Sequence, residues 1–440
     1  MAVDVLSKFM TKLASGKNGE VAMTVDEMRR NQFGIPLRHF AQQYLYGATG
    51  IRLRTFISFQ GDKGVGKSTL LDDLLGYACA DEENKGLGGI GVLLELEDKI
   101  NPAIVYSILN GYGERARAAC VFKRDMTLAS AMKYLNGELI DAYDAACPDR
   151  SIPFIIGLDS IGGAATDDTI EKIKKEGVAG KGFGDKQHNV KYFCENEGIL
   201  LAQKNIPALV VCVNQEKEAI SAGVSYSAPV KTITGGKSQA FKDGYMIRVK
   251  KKELARGDGN LVTLSLVKSS FSDSRSIEVK FKWNLRGTNP DDPYEARFQW
   301  AWASAMCLAK PLDGVAELRS IVNVSVSDLD LVTCPELGLK SVQPEVFEEA
   351  LFANKELLDK LYTYLKIEKI QDLSGYSEYL KSRKAAAKAD KNDKDEEPKA
   401  EKKPKAEKKP KGRPAKPKLA TEPAAEAEPL FPEEEAEADG

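Results

Sequence analysis

The sequence lacks several features that define other classes of protein. It has only two histidines, His39 and His188, and its seven cysteines stand singly, without a Cys-x-x-Cys pair. These shortages argue against a histidine-based metal centre and against a secreted, disulfide-linked fold. No uninterrupted apolar run approaches the roughly 18 residues that a membrane-spanning helix needs. The N-terminus carries charged residues within its apolar pattern, unlike a signal peptide. We therefore expect a soluble protein of the cytoplasm.

What the chain does have is length and local contrast in charge. Its 440 residues suffice for about two domains with extensions. The net charge of −2 conceals two blocks of opposite charge. Residues 399–418 hold ten basic residues against two glutamates, whereas residues 421–440 hold eight acidic residues and no basic one. From 384 onward we expect a disordered tail. In one interpretation its basic block attracts DNA and its acidic end limits that attraction. In the other, the tail only keeps the protein soluble.

The chain is organised around a glycine-rich stretch between a strand and a helix. Residues 61–69 match the phosphate-binding pattern G-x-x-x-x-G-K-[ST] at every fixed position. A β-prone run over 55–59 precedes them, and an amphipathic pattern over 67–80 predicts the helix that follows. The expected nucleotide-binding residues are Gly61, Asp62, Lys63, Gly64, Val65, Gly66, Lys67, Ser68 and Thr69. Lys67 is predicted to reach the nucleotide phosphates and Ser68 to hold Mg²⁺, and the alternative is a chance glycine-rich turn.

Further polar residues stand at the ends of predicted strands. Asp159 follows the apolar run 153–158 and is expected to hold Mg²⁺ beside Ser68, unless it only caps a helix or faces solvent. Glu95 and Glu97 end the run that begins at 91 and, by alternation, point to the same side, so either could activate water. Gln215 follows the strand 208–213 and could contact the γ-phosphate, with a local turn cap as the alternative.

Two glycine-rich segments suit mobile binding loops better than a packed core. The first covers 176–184, and the second runs from about 221 to 237. Lysines, threonines and backbone N–H groups of such segments can contact the phosphates of a nucleic acid, and solvated linkers are the alternative. The candidate DNA-binding residues are Lys181, Lys186, Lys217, Lys231, Thr232, Thr234, Gly235, Gly236 and Lys237.

The hydrophobic pattern predicts an α/β fold. From 55 to about 283, strand-length apolar runs alternate with helical patterns, as in a mostly parallel twisted sheet covered on both faces. The runs 245–249, 261–267 and 277–283 alternate more and predict antiparallel strands at one edge. Four regions are expected: a helical N-terminal arm and connector (1–45), the core (46–290), a mostly helical C-terminal domain (291–383) and the tail (384–440). Helices are predicted over 35–46, 296–308 and 344–365.

Together these motifs resemble the RecA family of recombinases, and most closely its phage UvsX-like branch. The phosphate loop, the Glu97 strand end with Asn101-Pro102 after it, Asp159-Ser160, Asn214-Gln215 and residues 232–236 follow RecA order at near-RecA spacing. Segments 204–207 and 277–281 are similar to those of the phage branch. The resemblance covers roughly residues 35–285.

The resemblance implies a RecA-like P-loop ATPase core and a DNA-dependent ATPase. Such a protein binds ATP and Mg²⁺ at subunit interfaces and forms a helical homo-oligomeric filament on single-stranded DNA. It then promotes homologous pairing with double-stranded DNA and strand exchange, in a bacterial or phage-infected cell. A single-strand-binding protein and a loader are further implied partners. No membrane is involved.

The resemblance also implies roles for single residues. Glu97 matches the water-activating glutamate, and Gln215 matches the residue that couples the γ-phosphate to the second DNA loop, at about 216–236. The first DNA loop corresponds to about 164–184. Lys268 falls where the family inserts a basic side chain into the neighbouring subunit's ATP site, which stabilises transition-state charge.

Two positions depart from the family pattern. The family often has two basic residues that reach the neighbouring subunit. In this chain Lys268 matches the first, whereas Ser270 stands in place of the second. Arg275 is the candidate substitute. The position of the family's adenine-stacking tyrosine holds Ile104, which leaves Tyr106 as the nearest candidate for contact with the base.

Two other functions fit part of the pattern. A hexameric RecA-fold helicase shares the phosphate loop and the strand-end acids, although it usually lacks the Thr-x-Thr-Gly-Gly segment found at 232–236. A non-catalytic, ATP-switched recombination mediator would bind nucleotide with negligible DNA-stimulated turnover.

Overall fold

The computed structural model describes residues 31–176, 190–191, 200–218, 231–233, 243–254, 259–282, 296–311 and 316–395. The predicted N-terminal arm, most of both glycine-rich segments and the tail beyond 395 lie outside the described residues. In the described part, no helix is long and apolar enough to cross a membrane. The cysteines that the structure describes are buried, as expected for reduced thiols: Cys79, Cys120, Cys147, Cys212, Cys307 and Cys334.

The first half of the chain alternates strands and helices. The strands are β1 (Gly34–Pro36), β2 (Gly50–Arg52), β3 (Thr55–Gly61), β4 (Ile90–Glu95), β5 (Cys120–Lys123) and β6 (Phe154–Asp159). The helices are α1 (Phe40–Tyr46), α2 (Lys67–Cys79), α3 (Pro102–Asn110), α4 (Glu114–Ala119), α5 (Leu128–Tyr134), α6 (Ile140–Ala146) and α7 (Asp167–Glu176). A single π-helical turn, Leu135–Leu139, joins α5 to α6.

The second half contributes antiparallel strands and then helices. Its strands are β7 (Ala208–Glu218), β8 (Lys231–Ile233), β9 (Tyr245–Glu253), β10 (Gly259–Ser269), β11 (Ser276–Lys282), β12 (Arg297–Phe298), β13 (Ser325–Val326), β14 (Val332–Cys334) and β15 (Leu339–Val342). Its helices are α8 (Trp300–Ala309), α9 (Pro344–Ala353), α10 (Lys355–Tyr364) and α11 (Tyr376–Asp395), with short 3₁₀ turns at Ala316–Ser320, Pro335–Leu337 and Leu373–Gly375.

A large mixed sheet forms the centre of the fold. Its strand order is β12-β11-β10-β9-β3-β7-β6-β4-β5, and β8 pairs with the end of β7. The strands from β9 through β5 run parallel, whereas β9, β10, β11 and β12 pair antiparallel at one edge. The prediction of an α/β fold with a mostly parallel sheet and antiparallel edge strands is thus confirmed.

The central strands are apolar on both faces because both faces are covered. Along β3, Ile57 and Phe59 enter one hydrophobic cluster, whereas Phe56 enters a second cluster on the opposite face. Along β6, Ile155 and Ile156 divide in the same way. This arrangement explains why these strands show near-continuous apolar runs in the sequence.

The parallel strands place their carboxyl ends along one edge of the sheet. The register pairs Gly61 of β3 with Gln215 of β7, and Glu95 of β4 with Asp159 of β6. In an open α/β sheet this edge is where ligands bind. The strand order therefore brings together residues that are far apart in sequence.

Two helix predictions need correction. The predicted helix over 35–46 begins only at Phe40, because Gly34–Pro36 forms β1 and pairs with Gly50–Arg52 of β2. The predicted helix over 344–365 is two helices, since the side chain of Asn354 caps a new helix by accepting a hydrogen bond from the Leu357 N–H at 3.1 Å.

The region from 296 to 395 contains a small sheet as well as helices. Strands β13, β14 and β15 form a three-stranded antiparallel sheet. Helices α8, α9 and α10 contribute side chains such as Trp302, Phe347 and Leu361 to the same hydrophobic cluster as Ile57 of the central sheet. Helix α11 extends to Asp395, beyond the predicted start of the tail at 384.

Candidate functional site

The loop between β3 and α2 is shaped by two glycines in left-handed backbone conformations. Gly64 has φ 76° and Gly66, the N-cap of α2, has φ 97°, and a Cβ atom added to either would meet no atom within 4 Å. The loop thus leaves open space beside its backbone, at the N-terminus of a helix. Backbone N–H groups at a helix N-terminus suit a phosphate. Val65, which is 8% exposed, packs into the hydrophobic core between the two glycines.

Lys67 is the first residue of α2 and is held inside the loop. Its ammonium donates to the carbonyl oxygen of Asp62 at 2.7 Å and to that of Gly61 at 3.0 Å. Burial lowers the pKa of Lys67, and the negative charges of Asp159, Asp62, Glu97 and Glu216 oppose that shift. With two of its three N–H groups engaged, the ammonium can offer one more to an anion in the adjoining cavity.

Ser68 and Asp159 meet across the cavity. Ser68, the next residue of α2, and Asp159, at the end of β6, line the same cavity. Burial raises the pKa of Asp159 to about 6, although the hydroxyl of Ser68 acts in the opposite direction. A raised carboxylate pKa of this kind marks a site in which a cation would stabilise the ionised form.

The oxygen atoms of this pair fit a magnesium ion held jointly with a ligand. Within the described ranges, no three carboxylate, thiol or imidazole groups are grouped to hold a metal by themselves. Mg²⁺ characteristically takes one or two protein oxygens and completes its shell with phosphate oxygens and waters. Ser68 and Asp159 would supply those protein oxygens.

Glu97 lies just beyond the end of β4 and accepts hydrogen bonds from two other strand ends. Its carboxylate accepts from the Ser160 hydroxyl at 2.5 Å and from Gln215 Nε2 at 3.2 and 3.3 Å, and it pairs with the Lys99 ammonium. Burial acts to raise the pKa of Glu97, but the hydrogen bonds from Lys99, Ser160 and Gln215 outweigh it and lower the pKa. The carboxylate is therefore ionised and oriented, with its side chain 14% exposed.

A glycine that the sequence reasoning did not single out makes room for Glu97. A Cβ atom on Gly163 would lie 2.1 Å from Cδ and 2.5 Å from Oε2 of Glu97. The Gly162-Gly163 pair shortly after a strand-end acid is the sequence signal that could have drawn attention to it. Ser160, which stands in the sequence only as the second residue of the Asp159-Ser160 motif, orients Glu97 together with Gln215.

Glu95 lines the same cavity but is fully engaged in the structure of the strand end. Its Oε1 accepts from the N–H groups of Lys99 and Ile100, each at 2.7 Å, and its Oε2 pairs with Arg124 Nε at 2.7 Å. The side chain is 1% exposed. Glu95 thus closes the turn that follows β4, whereas Glu97 faces Gln215.

Two cavities flank the loop. The first, of about 430 Å³, is lined by Lys67, Ser68, Asp159, Glu97 and Gln215 among others. The second, of about 410 Å³, is lined by the loop residues 64–69, by five apolar residues and by Asn101, Lys251 and Asn260. Five predicted residues therefore converge on one cavity, at the carboxyl ends of adjacent strands.

Tyr106 is not brought to this site. Within the described part of the chain it lies outside both cavities, where it is 43% exposed and stacks with the guanidinium of Arg117 at 5.1 Å from the ring centroid. Ile104 lines both cavities instead. The prediction of Tyr106 as a base contact gains no support from this placement.

Lys268 and Arg275 have different surroundings. The ammonium of Lys268, on β10, donates to the carbonyl oxygen of Asp243 at 3.2 Å and is only half-buried. Arg275 is 7% exposed and donates to the carbonyl oxygens of Tyr44 and Leu365, at 2.9 and 2.6 Å. Arg275 is thereby fixed inside this chain, so it cannot serve as the outward-facing basic residue suggested in place of Ser270.

The candidate DNA-binding residues are described only in part. Strand β7 continues past Gln215 and pairs with β8 as a two-stranded antiparallel ribbon. In this ribbon Lys217 lies opposite Thr232, and Glu218 lies opposite Lys231. The other candidates, Lys181, Lys186, Thr234, Gly235, Gly236 and Lys237, lie outside the described residues. The ribbon thus begins directly after the residue that contacts Glu97.

Comparisons with known proteins add no identification. Neither the scan against models of protein families nor the search of curated proteins gave a match.

Proposed function

We propose that this chain is an ATP-dependent DNA recombinase with a RecA-like core, which assembles as a filament on single-stranded DNA and promotes homologous pairing and strand exchange. The observation that carries the proposal is the hydrogen bond between Gln215 and Glu97. It connects the carboxylate best placed to act on water with a strand that continues into the β7–β8 ribbon. A change at the nucleotide site can thus reach a segment rich in candidate DNA contacts.

The residues around the loop suit ATP hydrolysis. Backbone N–H groups near Gly64 and Gly66 and the Lys67 ammonium would hold the phosphates. When bound, Mg²⁺ supplies charge neutralisation on the phosphate oxygens, and Ser68 and Asp159 are the residues that would hold it. Glu97 is ionised and oriented by Ser160 and Gln215, so it can accept a proton from an attacking water. Glu95 is less suited, because its side chain is only 1% exposed and is held by backbone N–H groups and Arg124, whereas Glu97 is 14% exposed.

Gln215 is suited to report the state of the site. Its amide contacts Glu97, and Gln215 lies opposite Gly61 of the loop in the β3–β7 register. A bound γ-phosphate would compete for the same amide and pull the start of the ribbon toward the loop. In this scheme ATP favours the DNA-binding form and hydrolysis releases it.

Electron microscopy combined with an ATPase assay tests the proposal. The purified chain is mixed with single-stranded DNA and a slowly hydrolysed ATP analogue, and turnover of ATP is measured with and without DNA. We expect continuous helical filaments and DNA-stimulated turnover. Lys67→Ala is expected to abolish both, while Lys310→Ala, which removes an exposed lysine from the end of α8, is the matched control.

Other outcomes would select the competing functions. Closed rings on the same DNA would point to a hexameric helicase. Nucleotide binding with negligible DNA-stimulated turnover would point to a non-catalytic mediator.

A further inference from the structure

The Glu97 carboxylate has a third partner besides Ser160 and Gln215, the ammonium of Lys99. Lys99 forms an ion pair with Glu97 Oε1, and the side chain of Lys99 is 53% exposed whereas that of Glu97 is 14% exposed. Both side chains line the cavity that Lys67 of the loop also lines. In the proposed ATP hydrolysis Glu97 and Lys67 have roles, and Lys99 has none.

The turn after β4 holds the backbone from which the Lys99 side chain extends. Glu95 Oε1 accepts from the N–H groups of Lys99 and Ile100, each at 2.7 Å. Arg124 braces the same turn, since it donates to Glu95 Oε2 at 2.7 Å and to Asp98 Oδ1 at 2.5 Å. Asp98 has a left-handed φ of 49°, which reverses the chain just before Lys99. The backbone of Lys99 is therefore fixed, while its long, exposed side chain can change partner by rotation.

A γ-phosphate in this cavity would meet a carboxylate of like charge. Glu97 must lie close to the γ-phosphate if it is to accept a proton from the attacking water. Two negative groups held so close repel each other, and a cation between them removes that repulsion. The ammonium of Lys67 already donates to two loop carbonyl oxygens, whereas that of Lys99 lies on Glu97 itself. Lys99 is thus placed to supply that cation.

We propose that Lys99 is a further catalytic residue, whose ammonium passes from the Glu97 carboxylate to the γ-phosphate when ATP binds. The proposal rests on the proposed function, in which the loop binds ATP and Glu97 activates water. In hydrolysis the water oxygen bonds to the γ-phosphorus while the bond from that phosphorus to the bridging oxygen of ADP breaks, and Glu97 takes the proton of the water. Lys99 keeps its own protons and stabilises the charge on the γ-phosphoryl oxygens.

The same movement would activate Glu97. Burial acts to raise the pKa of Glu97, and the hydrogen bond from Lys99 is the strongest of the contacts that lower it. Once the ammonium has moved to the γ-phosphate, the carboxylate becomes a better proton acceptor at the moment when the reacting phosphate is in place. ADP lacks the γ-phosphate, so it would leave the pair of Lys99 and Glu97 intact.

Binding of nucleotides with and without a γ-phosphate tests the contact. ADP and a slowly hydrolysed ATP analogue are each titrated, with Mg²⁺ present, in competition with a ribose-labelled fluorescent ADP. Lys99→Gln removes the charge, so that Glu97 faces the γ-phosphate without a counter-ion. We expect this variant to bind the ATP analogue about tenfold more weakly and to bind ADP within about twofold of the wild type. Retained ADP binding also shows that the variant is folded.

ATP turnover at saturating nucleotide tests the catalytic part. On single-stranded DNA, kcat of Lys99→Gln should fall about 100-fold, because a charge that stabilises the transition state is lost. Lys99→Arg keeps a cation at this position, so its kcat should stay within about tenfold of the wild-type value. A lysine that only supported the turn would not separate ADP from the ATP analogue.

The controls separate this inference from the proposed function. Lys369→Gln also removes an exposed lysine that pairs with a carboxylate, that of Asp359 at 2.7 Å, and Lys369 lines neither cavity. It should keep wild-type binding and turnover. An unchanged preference between the two nucleotides with unchanged kcat in Lys99→Gln would overturn the role of Lys99 alone. A rise in turnover would also overturn it, because the lysine would then only mask Glu97. Failure of the wild-type chain to bind either nucleotide would overturn the proposed function and this inference together.

Discussion

The amide of Gln215 donates to both oxygens of the Glu97 carboxylate, at 3.2 and 3.3 Å, across the strand that separates them. Gln215 lies on β7 and Glu97 follows β4, and β6 runs between these strands. The end of β6 contributes Ser160, which donates to the same carboxylate at 2.5 Å. Three strand ends thus hold the Glu97 carboxylate in one position.

Gly163→Ala is expected to displace Glu97 without affecting nucleotide binding. The added methyl group would lie within 2.5 Å of three atoms of the Glu97 side chain, so the carboxylate must move. Because a displacement of about 1 Å of a reacting group can cost about 100-fold in rate, we expect ATP turnover to fall by about that factor. Steady-state ATPase measurements and titration of a fluorescent ATP analogue check both parts.

Gly137→Ala is the matched control for that substitution. Gly137 is also described, and a Cβ atom added there meets no atom within 4 Å. Its turnover should equal that of the wild type. Unchanged turnover in Gly163→Ala would contradict the proposed role of the Glu97 position.

Glu97→Gln and Glu95→Gln are expected to fail in different ways. Glu97→Gln removes the proton acceptor but keeps the shape of the site, so ATP should bind while turnover falls about 100-fold or more. Glu95→Gln weakens the pairing with Arg124 and the acceptance of two backbone N–H groups, so it should lower the free energy of unfolding by about 1–3 kcal/mol. Urea titration and ATPase assays on both variants separate the effects. Normal hydrolysis by Glu97→Gln together with inactive, stably folded Glu95→Gln would show that the base is Glu95.

The sequence predicted the central strands well because each is a buried apolar run ended by polar or glycine residues. Strand β6, predicted over 153–158, spans Phe154–Asp159. The short elements were not predicted. Strands β13 and β14 have two and three residues, too few for a pattern, and β1 gains its conformation from pairing with β2.

The site was predictable as a set of strand ends but not as a set of contacts. Lys67, Ser68, Asp159, Glu97 and Gln215 were all identified from their positions after strands or glycines, and they line one cavity. The choice between Glu95 and Glu97 could not be made from alternation, because β4 ends at Glu95 and Glu97 lies in the turn beyond it. The contact of Gly163 with Glu97 depends on the spatial order of strands, which the local sequence does not contain.

Asp243→Asn is expected to change how stability depends on pH. Burial raises the pKa of Asp243 from 3.8 to about 7, and the Ser58 hydroxyl and the Lys268 charge offset this only in part. Because the folded-state pKa is the higher one, folding favours the protonated carboxyl, and stability is lost as pH rises from about 4 to about 7. The loss is up to about 4 kcal/mol for a shift of this size.

The measurement is the free energy of unfolding in urea at pH 5 and pH 8. The decrease between these values should be smaller in Asp243→Asn than in the wild type. Asp328→Asn, at an exposed aspartate, should show the wild-type decrease. An identical pH dependence in all three proteins would show that Asp243 is not the titrating group.

Lys268 is expected to act on the nucleotide site of a neighbouring subunit. In a head-to-tail assembly, the site of one subunit meets a different surface of the next, so two defective chains can complement each other. Lys268→Ala keeps Glu97 but lacks the lysine, whereas Glu97→Gln keeps the lysine but lacks the base.

Each variant alone should show little ATP turnover on single-stranded DNA. In an equimolar, randomly mixed filament, about one quarter of the interfaces combine an intact Glu97 with an intact Lys268, so turnover should recover to about one quarter of the wild-type value. Turnover of the mixture that equals only the mean of the two variants would instead place the action of Lys268 within its own chain, through its contact with the Asp243 carbonyl.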